Sequence, residues 1–331
     1  MSETPRVSVV IPTYRRPESL LRAIESVLAQ TFEDFELLVV DDASRDRTRA
    51  VVEGVRDARV RYVALPARQG PSQARNAGVE LARSDWVAFL DDDDEWLAEY
   101  LAEQLARADS ITNVHVDAVF SLVYRTRLRG RRKVCPDPSE APSGGDIEGR
   151  ALIRAVLTGG IAPTMSAWVV RRDVLVELGA LDCSNPSMHD VDLWLRLAQA
   201  GHRAAVTGEP LVVWSNAGSD RVSADPEARE RGLAQIVRRW EPLILETLGA
   251  DEYERWLESR RGKAYRLHRR HIDDVMACGS RADAWRYARS MVRRLPWGAR
   301  NVLRALGFAL TGRRPRAKRE EAGKVAAAPR D

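Results

Sequence analysis

Within the first 110 residues, four short runs rich in Val, Ile, Leu and Phe alternate with three segments of helical periodicity. The runs RVSVVIP (6–12), FELLVVD (35–41), ARVRYVAL (58–65) and DWVAFLD (85–91) are nearly continuous in apolar residues. That is the pattern of strands covered on both faces of a parallel sheet. Between them lie PESLLRAIESVLAQT (17–31), SRDRTRAVVEGV (44–55) and PSQARNAGVELAR (71–83), each apolar at helical spacing, two of them opening on Pro at a first helical position. Strand, helix, strand, repeated, predicts an α/β class: a Rossmann-like, mostly parallel sheet flanked by helices, with right-handed crossovers.

After residue 115 the pattern loosens. DAVFSLVYRTRL (117–128) reads as a strand, and 130–146 has the Pro, Gly and Ser content of a loop. Helical patterns return at 149–158, 171–178 and 190–200, and from about 226 the chain is helix-like and rich in arginine. A length of 331 residues fits two regions. We place a catalytic domain at 1–225 and a basic helical region at 226–331, with a disordered tail expected from about 311.

Charge separates the two regions. Residues 1–228 hold 27 Lys+Arg against 35 Asp+Glu, whereas 229–331 hold 25 against 13. The segment 284–318 mixes cations, aromatics and aliphatics at helical spacing, as an interfacial helix does. A packed helical subdomain is the competing expectation there. No nucleic-acid module is visible, so nucleic acid is not expected as a partner. Three scattered cysteines (Cys135, Cys183, Cys278) fit neither a disulfide framework nor a zinc site and suit a reducing compartment. With neither a leader pattern nor an apolar run of spanning length, the expected location is cytoplasmic, with the inner face of the membrane reached peripherally through 284–318.

In an open α/β sheet, ligands bind beyond the carboxyl ends of the strands. Here the first strand runs into Pro12-Thr13-Tyr14-Arg15-Arg16, the second into Asp41-Asp42, and the fourth into Asp91-Asp92-Asp93-Asp94-Glu95. Five consecutive acids repel one another, and hard oxygen donors at this density suit Mg²⁺ or Mn²⁺ with a substrate diphosphate. An acidic turn that caps the following helix is the alternative. No G-x-G-x-x-G, G-x-x-x-x-G-K-[ST] or G-x-S-x-G occurs, which removes the main support for dinucleotide, P-loop and hydrolase readings.

The ordered set P-T-Y, Q-T-x-x-D-F-E-L, D-D-x-S, A-R-N-x-G and F-L-D-D-D-D-x-W resembles family 2 glycosyltransferases of the GT-A fold, from residue 6 to about 108 and more weakly to about 223. The resemblance implies a metal-dependent, inverting enzyme of surface glycan or glycoconjugate synthesis. It would take a nucleotide-diphospho-sugar, a UDP-sugar first, and a hydroxyl acceptor on a glycan or lipid-linked glycan. It implies that Pro12, Tyr14 and Asp42 contact base and ribose with Arg16 nearby, and that Arg75 approaches the donor's phosphate or sugar. Asp91, Asp92 and Asp93 form its D-x-D-like element, with Asp93 and Asp91 as metal ligands. Further on, GALDCSNPSMHDVDLWLRLAQAG (179–201) matches the family's base segment, placing Asp190 as the catalytic base. Leu181, Cys183 and His189 depart there from the usual Phe, acid and Glu or Gln. Asp190 also reads as a helix N-cap, and Leu193, Trp194 and Leu197 read as core. His268 and His271 read as a solvated helix face. The alternative in another class is a GT-A-like binding module without turnover. A nucleotidyltransferase lacks the glycine-rich start it needs after the first strand.

Overall fold

The computed structural model describes residues 4–294 apart from 127–131, 138, 140, 143–145, 163, 216–224 and 278–280. In chain order the elements are β1 (Val7–Thr13), α1 (Pro17–Leu28), β2 (Phe35–Asp41), α2 (Thr48–Gly54), β3 (Val60–Ala64), α3 (Pro71–Leu81), β4 (Trp86–Phe89), β5 (Glu95–Trp96) and α4 (Tyr100–Ser110). They continue with β6 (Ala118–Thr126), β7 (Arg132–Cys135), β8 (Asp146–Glu148), α5 (Gly149–Thr158), β9 (Trp168–Arg171), α6 (Arg172–Glu177), α7 (His189–Gln199) and β10 (Arg203–Trp214). Three helices follow: α8 (Pro226–Leu248), α9 (Ala250–Ala277) and α10 (Arg281–Arg294).

The strands form one mixed sheet in the order β3-β2-β1-β4-β9-β6-β10-β5, with β7 paired to β6 and β8 to β10. The β3-β2-β1-β4 half is parallel, and every residue of β1, β2 and β4 is buried. That burial on both faces is what their unbroken Val and Ile content dictates. The other half is built around β9, antiparallel to both β4 and β6, and around β10, parallel to β6. The loop expected at 130–146 differs from the structure: Arg132–Cys135 pairs antiparallel with Val123–Thr126, because Lys-Val-Cys can extend an open sheet edge.

Helices enter as their sequences demand. Pro17 and Pro71 occupy first-turn positions of α1 and α3, where a missing N–H costs nothing. Asp225 caps α8, its carboxylate accepting from the N–H groups of Glu227 (2.9 Å) and Ala228 (3.2 Å). A stack of Trp168 on Trp194, ring centroids 3.7 Å apart, joins β9 to α7. Leu193, Trp194 and Leu197 are buried, as expected of core residues.

Residues 1–260 make one compact unit and those from 261 a second. The core of the first unit includes Leu233, Ile236, Trp240 and Ile244 of α8 together with Tyr253 and Trp256 of α9. Within the second unit, His268 is fully buried and its Nδ1 lies 2.7 Å from the Tyr287 hydroxyl. The solvated face expected for His268 is thereby corrected: the terminal part of α9 turns this residue toward α10. His271 is exposed, although its ring packs on Tyr287 at 4.4 Å. The tail expected to be disordered from 311 lies outside the described residues, as does most of 284–318.

Gly78 of α3 lies flat on β1. A Cβ there would come within 2.3 Å of Val10 Cγ1. Gly78→Ala should therefore lower stability by about 1–3 kcal/mol through overpacking. Gly54, with nothing within 4 Å of an added Cβ, serves as the control. Gly54→Ala should be neutral or stabilising by up to about 1 kcal/mol. Urea denaturation midpoints of both variants test the pair.

Candidate active site

Because β1 lies between β2 and β4, the segments leaving their carboxyl ends share one rim. Two of these exits carry non-glycine residues in the left-handed region, Arg15 (φ 55°) after β1 and Ala43 (φ 60°) after β2. Such conformations cost about 1–3 kcal/mol each and persist where surrounding contacts over-determine them. The Asp42 N–H donating to the Thr13 carbonyl (2.9 Å) is one such contact.

Asp42 is buried and organises the loop before α3. Its carboxylate accepts from the N–H groups of Gln69 (2.6 Å) and Gly70 (2.8 Å). A carboxylate has about four acceptor positions, so two remain for another donor. Gly70 has φ 92°, a conformation that suits glycine at this entry to α3. Tyr14 is half-buried, with the Arg68 guanidinium 4.3 Å and that of Arg15 5.1 Å from its ring centroid. Pro12 is buried in β1 beyond the register shared with β4, where no ladder N–H is demanded of it.

The acids after β4 do not all face the same way. Asp92 turns back under β1, accepting from Thr13 Oγ1 (2.8 Å) and Arg16 Nη1 (3.0 Å). Burial pushes its carboxyl up, and Arg16 pulls in the opposite direction. Asp94 is almost completely buried, accepting from Ser166 Oγ (2.6 Å), the Ser215 N–H (2.9 Å) and Thr164 Oγ1 (3.4 Å). Burial first, then repulsion from Asp91 and Asp93, holds the Asp94 carboxyl well above the ordinary carboxylate range. Asp93 lies 3.4 Å from Arg16 Nη1, and Asp91 forms an ion pair with Arg75.

Ligand atoms of Asp91, Asp93 and Asp94 lie within 4.8 Å of one another. Asp91 and Asp93 thus come together as a candidate cation pair. Asp92 is engaged elsewhere, and Asp94 joins in its place. All-oxygen donors in a mutually repelling set, half-buried at Asp91 and Asp93 and buried at Asp94, fit Mg²⁺ or Mn²⁺.

The Arg, Asn and Gly of A-R-N-x-G each have a task of their own. Besides Asp91, Arg75 reaches His189, whose Nε2 lies 3.2 Å from Arg75 Nη1. Burial first, then the Arg75 charge, lowers the His189 pKa to about 4. The imidazole is therefore neutral near pH 7 and can accept the Arg75 hydrogen bond. Asn76 clamps the backbone of Leu181, donating to its carbonyl (2.9 Å) and accepting its N–H (3.0 Å). Gly78 supplies the close approach to β1 described above.

The loop clamped by Asn76 leads into α7. Met188, left-handed at φ 65°, precedes His189 and Asp190 in the first turn. Asp190 is half-buried, and its Oδ1 accepts from the Val191 N–H at 2.8 Å. Asp192, two positions on, has a different role. It is buried, accepts from Arg196 Nε (2.8 Å) and Trp240 Nε1 (2.9 Å), and faces Arg239 at 3.3 Å. Asp192 binds α7 to α8, whereas Asp190 keeps acceptor capacity. Asp94, Asn76 and Asp192 were not singled out for these roles by sequence. For Asn76, the polar side chain inside a helix was the available signal.

The Glycosyl transferase family 2 profile matches residues 8–178, more than half of the chain. This chain belongs to that family. It is 43% identical over 110 residues to the succinoglycan biosynthesis protein ExoO of Rhizobium meliloti, covering 33% of this chain and 32% of that one. It is 39% identical over 108 residues to a GalNAc(5)-diNAcBac-PP-undecaprenol beta-1,3-glucosyltransferase of Campylobacter jejuni, covering 32% and 35%. The matched stretch spans about a third of these curated relatives. Among solved structures, S. aureus TarS 1–349 in complex with UDP-GlcNAc aligns with TM-score 0.60 at 17% identity, covering 93% of this chain and 92% of that one. The mannosyltransferase PcManGT from Pyrobaculum calidifontis, in complex with GDP-Man and Mn²⁺, aligns with TM-score 0.54 at 18% identity, covering 95% and 89%. These likenesses show the GT-A fold.

The two aspartates of α7 should separate experimentally. Asp192→Ala leaves Arg196 Nε and Trp240 Nε1 without their acceptor and should cost about 3–5 kcal/mol. Asp190→Ala should change stability by less than about 1 kcal/mol. Guanidinium unfolding midpoints check both.

Proposed function

From membership of glycosyltransferase family 2, we propose that this chain is a divalent-cation-dependent, inverting glycosyltransferase. It moves a sugar from a UDP-sugar to a hydroxyl on a surface-glycan precursor. The observation that carries the reading is the Asp91, Asp93 and Asp94 cluster at the rim of β1 and β4, linked through Arg75 and His189 to the start of α7. The UDP-GlcNAc complex of TarS and the lipid-linked substrate in the name of the C. jejuni relative support the donor and acceptor classes.

In this reading the half-buried Tyr14 ring offers a face for the uracil, and Asp42 uses its remaining acceptor positions on base or ribose. Pro12 shapes the floor beside them. Arg16 and Asp92 brace the turn between Tyr14 and the acids. Asp91 and Asp93, with Asp94 beneath, would hold Mg²⁺ or Mn²⁺, which offsets charge on the departing diphosphate when bound. Arg75 stands where it can donate to the donor's phosphate or sugar.

Asp190 is the base. It takes the proton of the acceptor hydroxyl as that oxygen bonds to the anomeric carbon and the bond to the diphosphate breaks, inverting the centre. The first turn of a helix whose other face is buried is a rigid mount for that task. No described helix is long and apolar enough to cross a membrane. A lipid-linked acceptor would therefore be met at the surface, with the basic region 284–318 as the peripheral contact and a cytoplasmic location.

The test is hydrolysis and transfer from UDP-, GDP- and dTDP-sugars with Mn²⁺. Activity should be greatest with a UDP-sugar, vanish in excess chelator, and be lost in Asp93→Ala. Full activity in chelator would sink the cation assignment. Asp190→Asn should lower turnover by about 10²–10⁴ while calorimetric UDP binding with Mn²⁺ stays within about twofold. Loss of UDP binding in that variant would place the base elsewhere.

A further inference from the structure

Arg75 is buried, and its charged head is divided between two partners. Nη2 donates to Asp91 and Nη1 lies 3.2 Å from His189 Nε2, while the buried Nε–H has no acceptor among the described residues. A guanidinium has no lone pair to offer, so His189 Nε2 must be the acceptor of that contact, with the ring proton on Nδ1. His189 thus takes one arm of the fork, and a carboxylate of the acid cluster takes the other.

Both ends of this bridge are fixed. The Asp91 N–H donates to Ser166 Oγ (3.0 Å), which pins the backbone under that carboxylate. Beside Arg75 on α3, Asn76 holds Leu181 by two bonds, at the start of the loop that leads to His189. From the other side, Gly232 of α8 lies so close to Ser187 that an added Cβ would sit 2.4 Å from its carbonyl oxygen. Gln235 Nε2 donates to the Ser184 carbonyl (3.2 Å) in the same loop.

Arg75 and a divalent cation compete for the same carboxylate. A cation seated among Asp91, Asp93 and Asp94 would draw on the charge that Asp91 now gives to Arg75. A guanidinium buried without a partner is costly, so Arg75 alone with Asp91 would resist giving it up. An acceptor on the second arm reduces that cost, because Arg75 keeps one bond when Asp91 turns to the ion. An imidazole can do this without adding a carboxylate that would itself compete for the cation.

We propose that His189 is a positioning residue for the cation site: its Nε2 holds Arg75 by one arm and so frees Asp91 for a divalent cation. The same bond keeps Arg75 in register with the first turn of α7, where Asp190 stands. The proposal deepens the transferase reading and rests on Asp91 as a cation ligand.

The probe is Mn²⁺ alone, its affinity for the full chain read from the electron paramagnetic resonance signal of the free ion. His189→Leu fills the space without an acceptor, whereas His189→Gln keeps an acceptor at similar reach. The Leu variant should lose at least about tenfold in Mn²⁺ affinity, the scale of one hydrogen bond to a charged group. The Gln variant should stay within about twofold of the parent, and in an Arg75→Ala background the Leu substitution should change the affinity by less than about twofold. A residue that merely packs the first turn of α7 would lower urea midpoints in both backgrounds and leave Mn²⁺ affinity alone. Unchanged affinity in folded His189→Leu overturns the proposal. Equal losses in the Leu and Gln variants overturn it too, as does an equal loss with and without Arg75. Should the Leu variant fail to fold, His189→Ala takes its place under the same criteria. A parent that binds no Mn²⁺ overturns the cation reading together with this proposal, whereas an unaffected variant of a Mn²⁺-binding parent overturns the proposal alone.

Discussion

Four adjacent carboxylates cannot share one side of a loop without a strong electrostatic cost, and the way this chain divides them organises the molecule around them. Asp92 is drawn back by Thr13 and Arg16, which fixes the acid loop to the exit of β1. Asp94 is sunk among Thr164, Ser166 and the Ser215 N–H, which ties the loop to the segments flanking β9 and β10. Asp91 and Asp93 stay toward the rim, each with an arginine beside it. The two buried acids are structural anchors for the two nearer the rim. Asp94 belongs to both groups, since its own charge is disfavoured by the neighbours it supports.

A second network fixes the distance between the acid rim and the start of α7. Arg75 spans from Asp91 to His189, and Asn76 clamps Leu181 on the way to the same helix. From the other side, Asp192 collects Arg196, Arg239 and the Trp240 indole. The stacked Trp168 and Trp194 support α7 from the sheet. The neutral His189 is consistent with this frame. A charged imidazole would face the Arg75 guanidinium and lose the bond it now accepts.

The parallel half of the sheet was legible because β1, β2 and β4 are covered on both faces, and their composition records that directly. β9 was hidden because Trp168–Arg171 is only four residues long and merges with the helical pattern of α6. β10 was hidden because Gly208 and Pro210 interrupt it, and register shifts against β6 accompany them. The segments flanking those two strands carry the groups around Asp94, so its burial was equally out of reach. The acids, Arg75 and Asp190 could be picked out as ordered motifs. Which acid turns inward depends on partners more than 70 residues away, such as Ser166 and Ser215, and no local pattern contains that information.

Gly232 has a mechanical meaning beyond its size. With no side chain between the α8 backbone and the Ser187 carbonyl, the two segments meet without a compressible layer. Close-packed backbone transmits displacement instead of absorbing it. A tilt of α8 would therefore be geared directly to the turn at Met188 and to the carboxylate two residues later. Residues 226–248 lie beyond the stretch that the family profile recognises, yet they act as the bearing on which the Asp190 carboxylate is mounted.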